Sequence, residues 1–323
     1  MDYRAAHRSF RRPGHLNAFG ARRAGRTRRA RGRSIMKIGI AGFGNMGSAM
    51  AARLRDTGAE VAVWNQTGER VKAAGFALAA SPSQLAATCD VVLSSLFDDD
   101  AVKLVYMGAN GLLAQGRGKL FAEMSTVAPQ TQKALSAEAL KAGAGFIECP
   151  VSGTVGPARS GQLIGFMGGD VADVERARPV LERLCRRVEH VGAVGAGVRM
   201  KLAVNLPLLA FWQAIGEAMA LVRESGKSPQ WLVELFSDTA GAPPAMKLKA
   251  QAIVAALSGA EMGAPTFHID AMRKDLLLAL AEADSRHLAL PVARAALTAF
   301  DGAVSAGFGK KDCAWMPAFW VKH

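Results

Sequence analysis

Met36-Lys37-Ile38-Gly39-Ile40-Ala41-Gly42-Phe43-Gly44-Asn45-Met46-Gly47 decides how the rest of the chain is read. A short apolar run leads straight into Gly42-x-Gly44-x-x-Gly47, and a helical pattern follows. This is the strand, tight turn and helix of a dinucleotide fingerprint. Gly42 permits the turn, Gly44 leaves room for a pyrophosphate, and Gly47 lets the helix pack close to the strand. The helix N-terminus then faces the anion. A second strand, Glu60 to Trp64, stands at the distance that such a unit requires. Phe43, Asn45 and Met46, inside the loop, are expected to line the cofactor with the glycines.

Outward from this stretch, strand and helix patterns alternate to about His190. Strands are predicted at Lys37–Ala41, Glu60–Trp64, Asp90–Leu96, Lys119–Met124, Gly145–Glu148 and Leu163–Gly168. Helices are predicted at Met46–Thr57, Gly68–Ala74, from Pro82, after Asp98 and at Pro129–Lys141. Alternation of this kind predicts a parallel sheet with helices on both faces, and ligand at the carboxyl ends of the strands. After Gly192-Ala-Val-Gly-Ala-Gly197 the character changes. Val198 to Arg223 reads as one long apolar helix containing Pro207, which is expected to kink it. Helical patterns continue at Pro229–Phe236, Pro244–Leu257, Asp270–Asp284 and Pro291–Ala306. The expected architecture is thus α/β: a Rossmann-type domain over 36–196, then an all-helical domain over 197–323 reached through a long interdomain helix. A helix apolar on nearly every face is a buried one, at a domain or oligomer interface.

The chain has 323 residues and a formal net charge of +13, which is misleading as a whole-chain figure. Residues 1–35 contain eleven arginines and one aspartate, whereas the remainder holds 29 basic and 26 acidic side chains. The body is nearly balanced and carries no general signature of nucleic-acid binding. The Arg-rich segment is expected to be disordered. It reads as a basic arm, as a transit peptide thin in serine, or as sequence upstream of a start at Met36. No apolar run approaches the length of a membrane span. Cys89, Cys149, Cys185 and Cys313 form no Cys-x-x-Cys pair and have no histidines at metal-ligand spacing. Reduced buried thiols, a cytoplasmic location and no metal are expected.

The second strand ends Trp64-Asn65-Gln66-Thr67, without the carboxylate that holds a ribose 2′-OH in NAD sites. Asn65 and Thr67 can donate to a 2′-phosphate, and Arg70 lies one turn on. NADP is therefore expected over NAD. The same residues also suit a helix cap, and both roles can hold together. Three later segments add chemistry. Pro150-Val151-Ser152-Gly153-Thr154 exposes N–H groups and hydroxyls that suit a carboxylate. Lys201 and Asn205 lie one turn apart on one face of the long helix. A partly buried lysine there can donate a proton to a reducible carbonyl, although a lysine snorkelling to water gives the same pattern. Phe267 to Leu276 reads as an ordinary charged helix.

Taken in order, these motifs resemble the β-hydroxyacid dehydrogenase family over residues 36–316. They are the glycine fingerprint, Trp64-Asn65-x-Thr67, Met124-Ser125-Thr126, Pro150-Val151-Ser152-Gly153, Gly195-x-Gly197-x-x-x-Lys201-x-x-x-Asn205 and Lys274-Asp275-Leu276. The stretch Pro150 to Leu163, and Met200-Lys201-Leu202, resemble the glyoxylate/succinic semialdehyde reductase branch. The resemblance implies an NADPH-dependent reductase of a short carboxylate-bearing aldehyde, of glyoxylate, succinic or tartronate semialdehyde type, with Lys201 as acid/base. It implies that Ser152, Gly153 and Thr154 hold the substrate carboxylate and that Asn205 orients substrate and lysine. Thr126 would lie near the nicotinamide, Leu96 would be among the cofactor-binding residues, and Phe267 and Asp275 would close the pocket. It also implies a homodimer or homotetramer through the helical domain.

Departures from the family pattern are Gln66 for arginine, Thr154 for glycine or serine, Leu206 for a second asparagine, Pro207, and Lys310 for an acid. They bear on the substrate more than on the reaction. Two other readings remain open. An imine reductase shares the fold, and Leu206, Pro207, Phe211 and Trp212 suggest an apolar wall for a bulkier substrate. A non-catalytic binding module with a nucleic-acid-binding tail is the other.

Overall fold

A computed structural model describes residues 36–322. The segment 1–35, expected to be disordered, lies outside the described residues. β1 (Lys37–Ala41) leads through the glycine turn into α1 (Asn45–Asp56), β2 (Glu60–Trp64), α2 (Glu69–Ala73) and a two-residue β3 (Ala77–Leu78). Next come α3 (Pro82–Thr88), β4 (Val91–Ser94), α4 (Asp99–Met107), β5 (Leu120–Glu123), α5 (Pro129–Lys141) and β6 (Gly145–Glu148). Helix starts follow local chemistry. The Ser81 hydroxyl accepts from Gln84 N with Pro82 in the first turn, and the Asp98 carboxylate accepts from Ala101 N.

These strands form a parallel sheet in the order β3-β2-β1-β4-β5-β6. Both faces are covered, which explains why the strands read as unbroken apolar runs. In β1, Ile38 and Ile40 enter one core with Val63, Leu93 and Leu54. In β4 and β5, Val92 and Phe121 enter the opposite core with Leu85, Tyr106 and Leu135.

Beyond β6 the sheet departs from the parallel expectation. β7 (Val151–Ser152), α6 (Val155–Ser160), β8 (Leu163–Gly169), α7 (Val171–Leu181) and β9 (Cys185–Gly192) follow. β8 runs antiparallel to β6 and β7 and parallel to β9, which makes a mixed nine-stranded sheet. The link from β7 to β8 is shorter than the dozen or more residues that a parallel crossover needs, so the chain must turn back. The α7 helix and β9 lie outside the predicted elements. Pro179 interrupts the helical pattern of the first, and adjacent Arg186 and Arg187 with Glu189 and His190 mask the apolar signal of the second.

α8 (Ala196–Leu221) packs first on β8 and β9, then on α11 (Ile269–Ser285), α12 (Pro291–Ser305) and α13 (Met316–Lys322). α9 (Pro229–Ser237) and α10 (Pro244–Leu257) complete the helical part. Its core gathers Leu209, Trp212, Met246, Met272, Phe300 and Met316. α8 continues as helix through Pro207. One expectation for α8 needs correction. By length and composition it is apolar enough to cross a membrane, although one face carries buried Lys201 and Asn205 and serves the protein core. In the single chain Met200, Val204 and Leu221 are 41%, 43% and 88% exposed.

Candidate active site

The glycine loop has the geometry its spacing implies. Gly42 has φ +97°, and a side chain there would strike the Ser95 carbonyl. Gly44 faces open space, with nothing within 4 Å of where a Cβ would stand, and a side chain on Gly47 would strike the Gly42 carbonyl. No side chain caps the start of α1, so the N–H groups of its first turn, at Asn45, Met46 and Gly47, stand available to an anion. A cavity of about 650 Å³ adjoins this loop, bordered by Gly42, Gly44, Trp64, Asn65, Gln66 and Leu96. Its size suits a nucleotide. An uncapped helix end, a cleared glycine and an adjoining cavity together fit a dinucleotide.

The individual residues play different parts. The Phe43 ring is buried in the core against Phe76, so only its backbone faces the loop. Its N–H donates to Asn65 Oδ1 at 2.8 Å, and Asn65 Nδ2 donates to the Thr67 carbonyl and hydroxyl at 2.8 and 3.1 Å. Asn65 thus braces the glycine loop with the groups expected to reach a phosphate. Gly68, not Asn65 or Thr67, caps α2. Gln66 lines the cavity, while Thr67 and Arg70 lie outside its lining. Asn45 Nδ2 reaches the Pro265 carbonyl at 3.3 Å, which links the loop to the helical part.

A second cavity of about 200 Å³ lies against α8 and α11. Lys201, 7% exposed, donates to Asn205 Oδ1 at 2.9 Å, and Asn205 Nδ2 donates to Asp275 Oδ2 at 2.9 Å. Burial lowers the Lys201 pKa to about 8; Asp275 opposes the shift and Lys274 adds to it. Burial raises the Asp275 pKa, against the pull of Lys274 and Lys201. Gly153, Thr154, Thr126, Leu96, Met46 and Phe267 border the same space. Ser152 sits beside them on β7, paired with Ile164, and is outside the lining. Thr154 precedes α6 without its hydroxyl capping the helix.

Leu206, Pro207, Phe211 and Trp212 do not border this cavity. Leu206, Phe211 and Trp212 pack with the helical core, Trp212 almost completely buried, and Pro207 is exposed. Of the apolar wall expected from sequence, Leu206, Phe211 and Trp212 are core packing and Pro207 is surface, so it does not argue for a bulky substrate.

Three contributors have no role assigned by sequence. Lys274 Nζ donates to the Thr126 carbonyl at 2.6 Å and the Phe97 carbonyl at 3.1 Å, and lies 3.4 Å from Asp275 Oδ1. It ties α11 to the loops after β4 and β5. Glu123, fully buried, accepts from Ser125 N, Ser125 Oγ and Gln132 Nε2, and Ser125 Oγ in turn accepts from Leu96 N at 2.8 Å. Asp312 accepts from Lys249 at 2.7 Å and Thr266 N at 2.8 Å. Against the cost of burial, these partners and Ala314 N hold its pKa at about 2. It anchors the segment that brings Thr266 and Phe267 to the cavity. Only Lys274 carries a sequence signal, being adjacent to Asp275 in a quoted motif. Among the described residues, no group of three or more His, Cys, Asp or Glu is placed to hold a metal ion.

Residues 37–192 match the family model described as the NAD binding domain of 6-phosphogluconate dehydrogenase. Residues 195–319 match that of the NAD-binding domain of NADP-dependent 3-hydroxyisobutyrate dehydrogenase. Glyoxylate/succinic semialdehyde reductase 1 of Arabidopsis thaliana is 34% identical over 281 residues, covering 86% of this chain and 96% of that protein. Cytokine-like nuclear factor N-PAC of Xenopus tropicalis is 32% identical over 264 residues, 80% of this chain but 48% of the relative. The solved structure of Mycobacterium tuberculosis 3-hydroxyisobutyrate dehydrogenase with L-serine matches at a TM-score of 0.73 and 27% identity. That match covers 88% of this chain and 99% of the other.

Proposed function

This chain belongs to the β-hydroxyacid dehydrogenase family, and we propose that it reduces a short carboxylate-bearing aldehyde to the hydroxy acid with NADPH. It is an NAD(P)-dependent oxidoreductase of CH–OH groups. The observation that carries the proposal is the buried Lys201–Asn205–Asp275 chain on a cavity shared with Thr154 and Leu96. A nicotinamide held at the glycine loop would supply the hydride for the carbonyl carbon.

The protein's own residues do the rest. With a pKa near 8, Lys201 is mostly protonated at neutral pH and can give its proton to the carbonyl oxygen. Its charge also stabilises the developing alkoxide in a water-poor site. Asn205 holds the ammonium in one orientation and passes on the field of Asp275. Thr154 and the backbone after Ser152 take the substrate carboxylate. A cavity of about 200 Å³ limits the substrate to a small molecule.

NADPH over NADH is supported by the absence of a carboxylate at the end of β2, with Arg70 one turn on as the cation nearest in sequence for a 2′-phosphate. Four buried thiols fit a reducing compartment, and we place the enzyme in the cytoplasm. Met200, Val204, Pro207, Phe211, Ala214 and Leu221 recur at intervals of three, four and seven along one side of α8, and most are exposed. Such a stripe fits a second copy of the chain, in a dimer or tetramer built on the helical part.

The test is NADPH oxidation with glyoxylate and with succinic semialdehyde, in wild type and Lys201→Ala. Turnover that falls about 10²–10⁴-fold in the variant, with NADPH binding retained, is the expected result. No turnover of either aldehyde despite tight NADPH binding would overturn it.

A further inference from the structure

Ser94, Glu123 and Glu148 end β4, β5 and β6 and are register partners across the sheet. Each is 0% exposed. Glu123 holds Ser125 and, through it, Leu96. Glu148 has a different reach. Its Oε1 accepts from Gly195 N at 2.5 Å and Gly197 N at 2.8 Å, the N-cap and the second residue of α8. No side chain of α8's own neighbourhood caps that end. Its other oxygen, Oε2, is buried without a hydrogen-bond partner.

Glycines make this contact possible. A side chain on Gly168 of β8 would strike Glu148 Oε1, and one on Gly197 would strike the Phe166 carbonyl. The helix end therefore sits directly on the carboxylate. Gly197 is one helical turn, about 6 Å, before Lys201. Three residues after Glu148, the same strand segment continues into Val151–Thr154.

We propose that Glu148 is a positioning residue: by gripping the first turn of α8 it sets where Lys201 stands relative to the substrate loop that leaves its own strand. The grip is charge-assisted, because an ionised carboxylate at a helix N-terminus holds its N–H groups more strongly than a neutral one. Burial raises the Glu148 pKa to about 7, against the N–H groups of Gly197 and Gly195, with Glu123 adding to the rise. The groups facing it are Glu123 on β5 and Cys149 on its own segment. Lys133 of α5 and Arg199 of α8 reach the outer side of Gly195, and β8 offers only Gly168. Ionisation near neutrality therefore tightens the seat of α8, and protonation loosens it.

This inference rests on the proposed role of Lys201, so the experiment keeps the two apart. The pH dependence of kcat and of the aldehyde KM is measured for wild type, Glu148→Gln, Glu148→Asp and Gly168→Ala, with hydrogen exchange of residues 194–199 followed in parallel. Wild type is expected to lose kcat below about pH 7. Glu148→Gln is expected to lower kcat about tenfold, to leave KM within about threefold, and to abolish that acid limb, because geometry and not substrate contact is lost. Glu148→Asp restores the limb. If Glu148→Gln does not fold, Gly168→Ala, which displaces the carboxylate without removing it, should lower kcat in the same way. Faster exchange at Gly195 and Gly197 in the Gln variant supports the grip even if no aldehyde is turned over, an outcome that would sink only the reductase reading. Wild-type kcat and an unaltered acid limb in Glu148→Gln, or unchanged exchange, would overturn the proposal.

Discussion

Lys201 and Asp275 are joined through Asn205, which accepts from the ammonium at 2.9 Å and donates to the carboxylate at 2.9 Å. The opposite charges are thus coupled without being paired. Direct pairing would hold the lysine high and make it a poor proton donor at neutral pH, whereas no carboxylate at all would let burial neutralise it. Burial lowers the lysine pKa to about 8, with Asp275 opposing the shift across the amide and Lys274 adding to it.

Asp275→Asn preserves a partner for Asn205 and removes the charge. Because Asp275 raises the Lys201 pKa, the variant should lower it, and the alkaline limb of kcat should move to lower pH by about one unit. At pH 7.5 kcat should fall several-fold. A pH–rate profile with the limb unmoved would count against the relay.

Lys274→Met should act in the opposite sense on the same limb, since Lys274 lowers the Lys201 pKa. It also severs α11 from the carbonyls of Thr126 and Phe97, beside the expected nicotinamide. The expected signature is an alkaline limb shifted upward together with a KM for NADPH raised about tenfold, the cost of one charge-assisted hydrogen bond. Steady-state kinetics over pH separate the two effects.

The parts of this site legible in the sequence are those whose partners are local. Gly42, Gly44 and Gly47 act within one turn, so their spacing exposes them; Lys201 and Asn205 lie within one helical turn, where spacing shows a shared face and the family resemblance supplies the role. Asp275 lies 70 residues beyond Asn205, and it and Lys274 meet the lysine only through the packing of α11 against α8. Family resemblance alone points to them, and for Lys274 without a role. Glu148 reads in sequence as the end of a strand, because nothing near it shows that its carboxylate caps a helix 47 residues later. The mixed sheet is hidden for a related reason: a crossover too short to be parallel looks like any other strand–helix–strand step. Trp212 misleads in the other direction. An aromatic at helical spacing from Lys201 suggests a pocket wall, and the helix turns it into the core.

Arg70→Ala tests the choice of cofactor. If Arg70 swings to a 2′-phosphate on binding, KM for NADPH should rise about tenfold and KM for NADH should not change. Asn65→Ala should instead weaken both cofactors alike, because Asn65 braces Phe43 N and Thr67. Equal effects of Arg70→Ala on both cofactors would leave the absent β2 carboxylate as the sole ground for NADPH.

Val204→Glu places a charge in the middle of the exposed α8 stripe, at a position 43% exposed in the single chain. Sedimentation velocity should find wild type as a dimer or larger and the variant shifted toward monomer, with NADPH affinity retained. A wild-type monomer would remove the stripe as an interface between copies.

The cost of the site should be visible in stability. Lys201 has a folded pKa near 8 and an ordinary value of 10.5, so between these limits the unfolded chain binds more protons. Stability therefore rises with pH through that window, and below about pH 8 the folded protein carries the full penalty of a buried ammonium. A shift of this size corresponds to on the order of 3 kcal/mol. Lys201→Met, which fills similar volume without charge, should raise Tm by several degrees at pH 7 while abolishing turnover. The gain should shrink as the pH approaches 10, where the wild-type lysine is neutral when folded. Scanning calorimetry at pH 7 and pH 9.5 measures both. A Tm difference independent of pH would mean that Lys201 is solvated in the folded protein and is not the desolvated proton donor that its place on α8 implies.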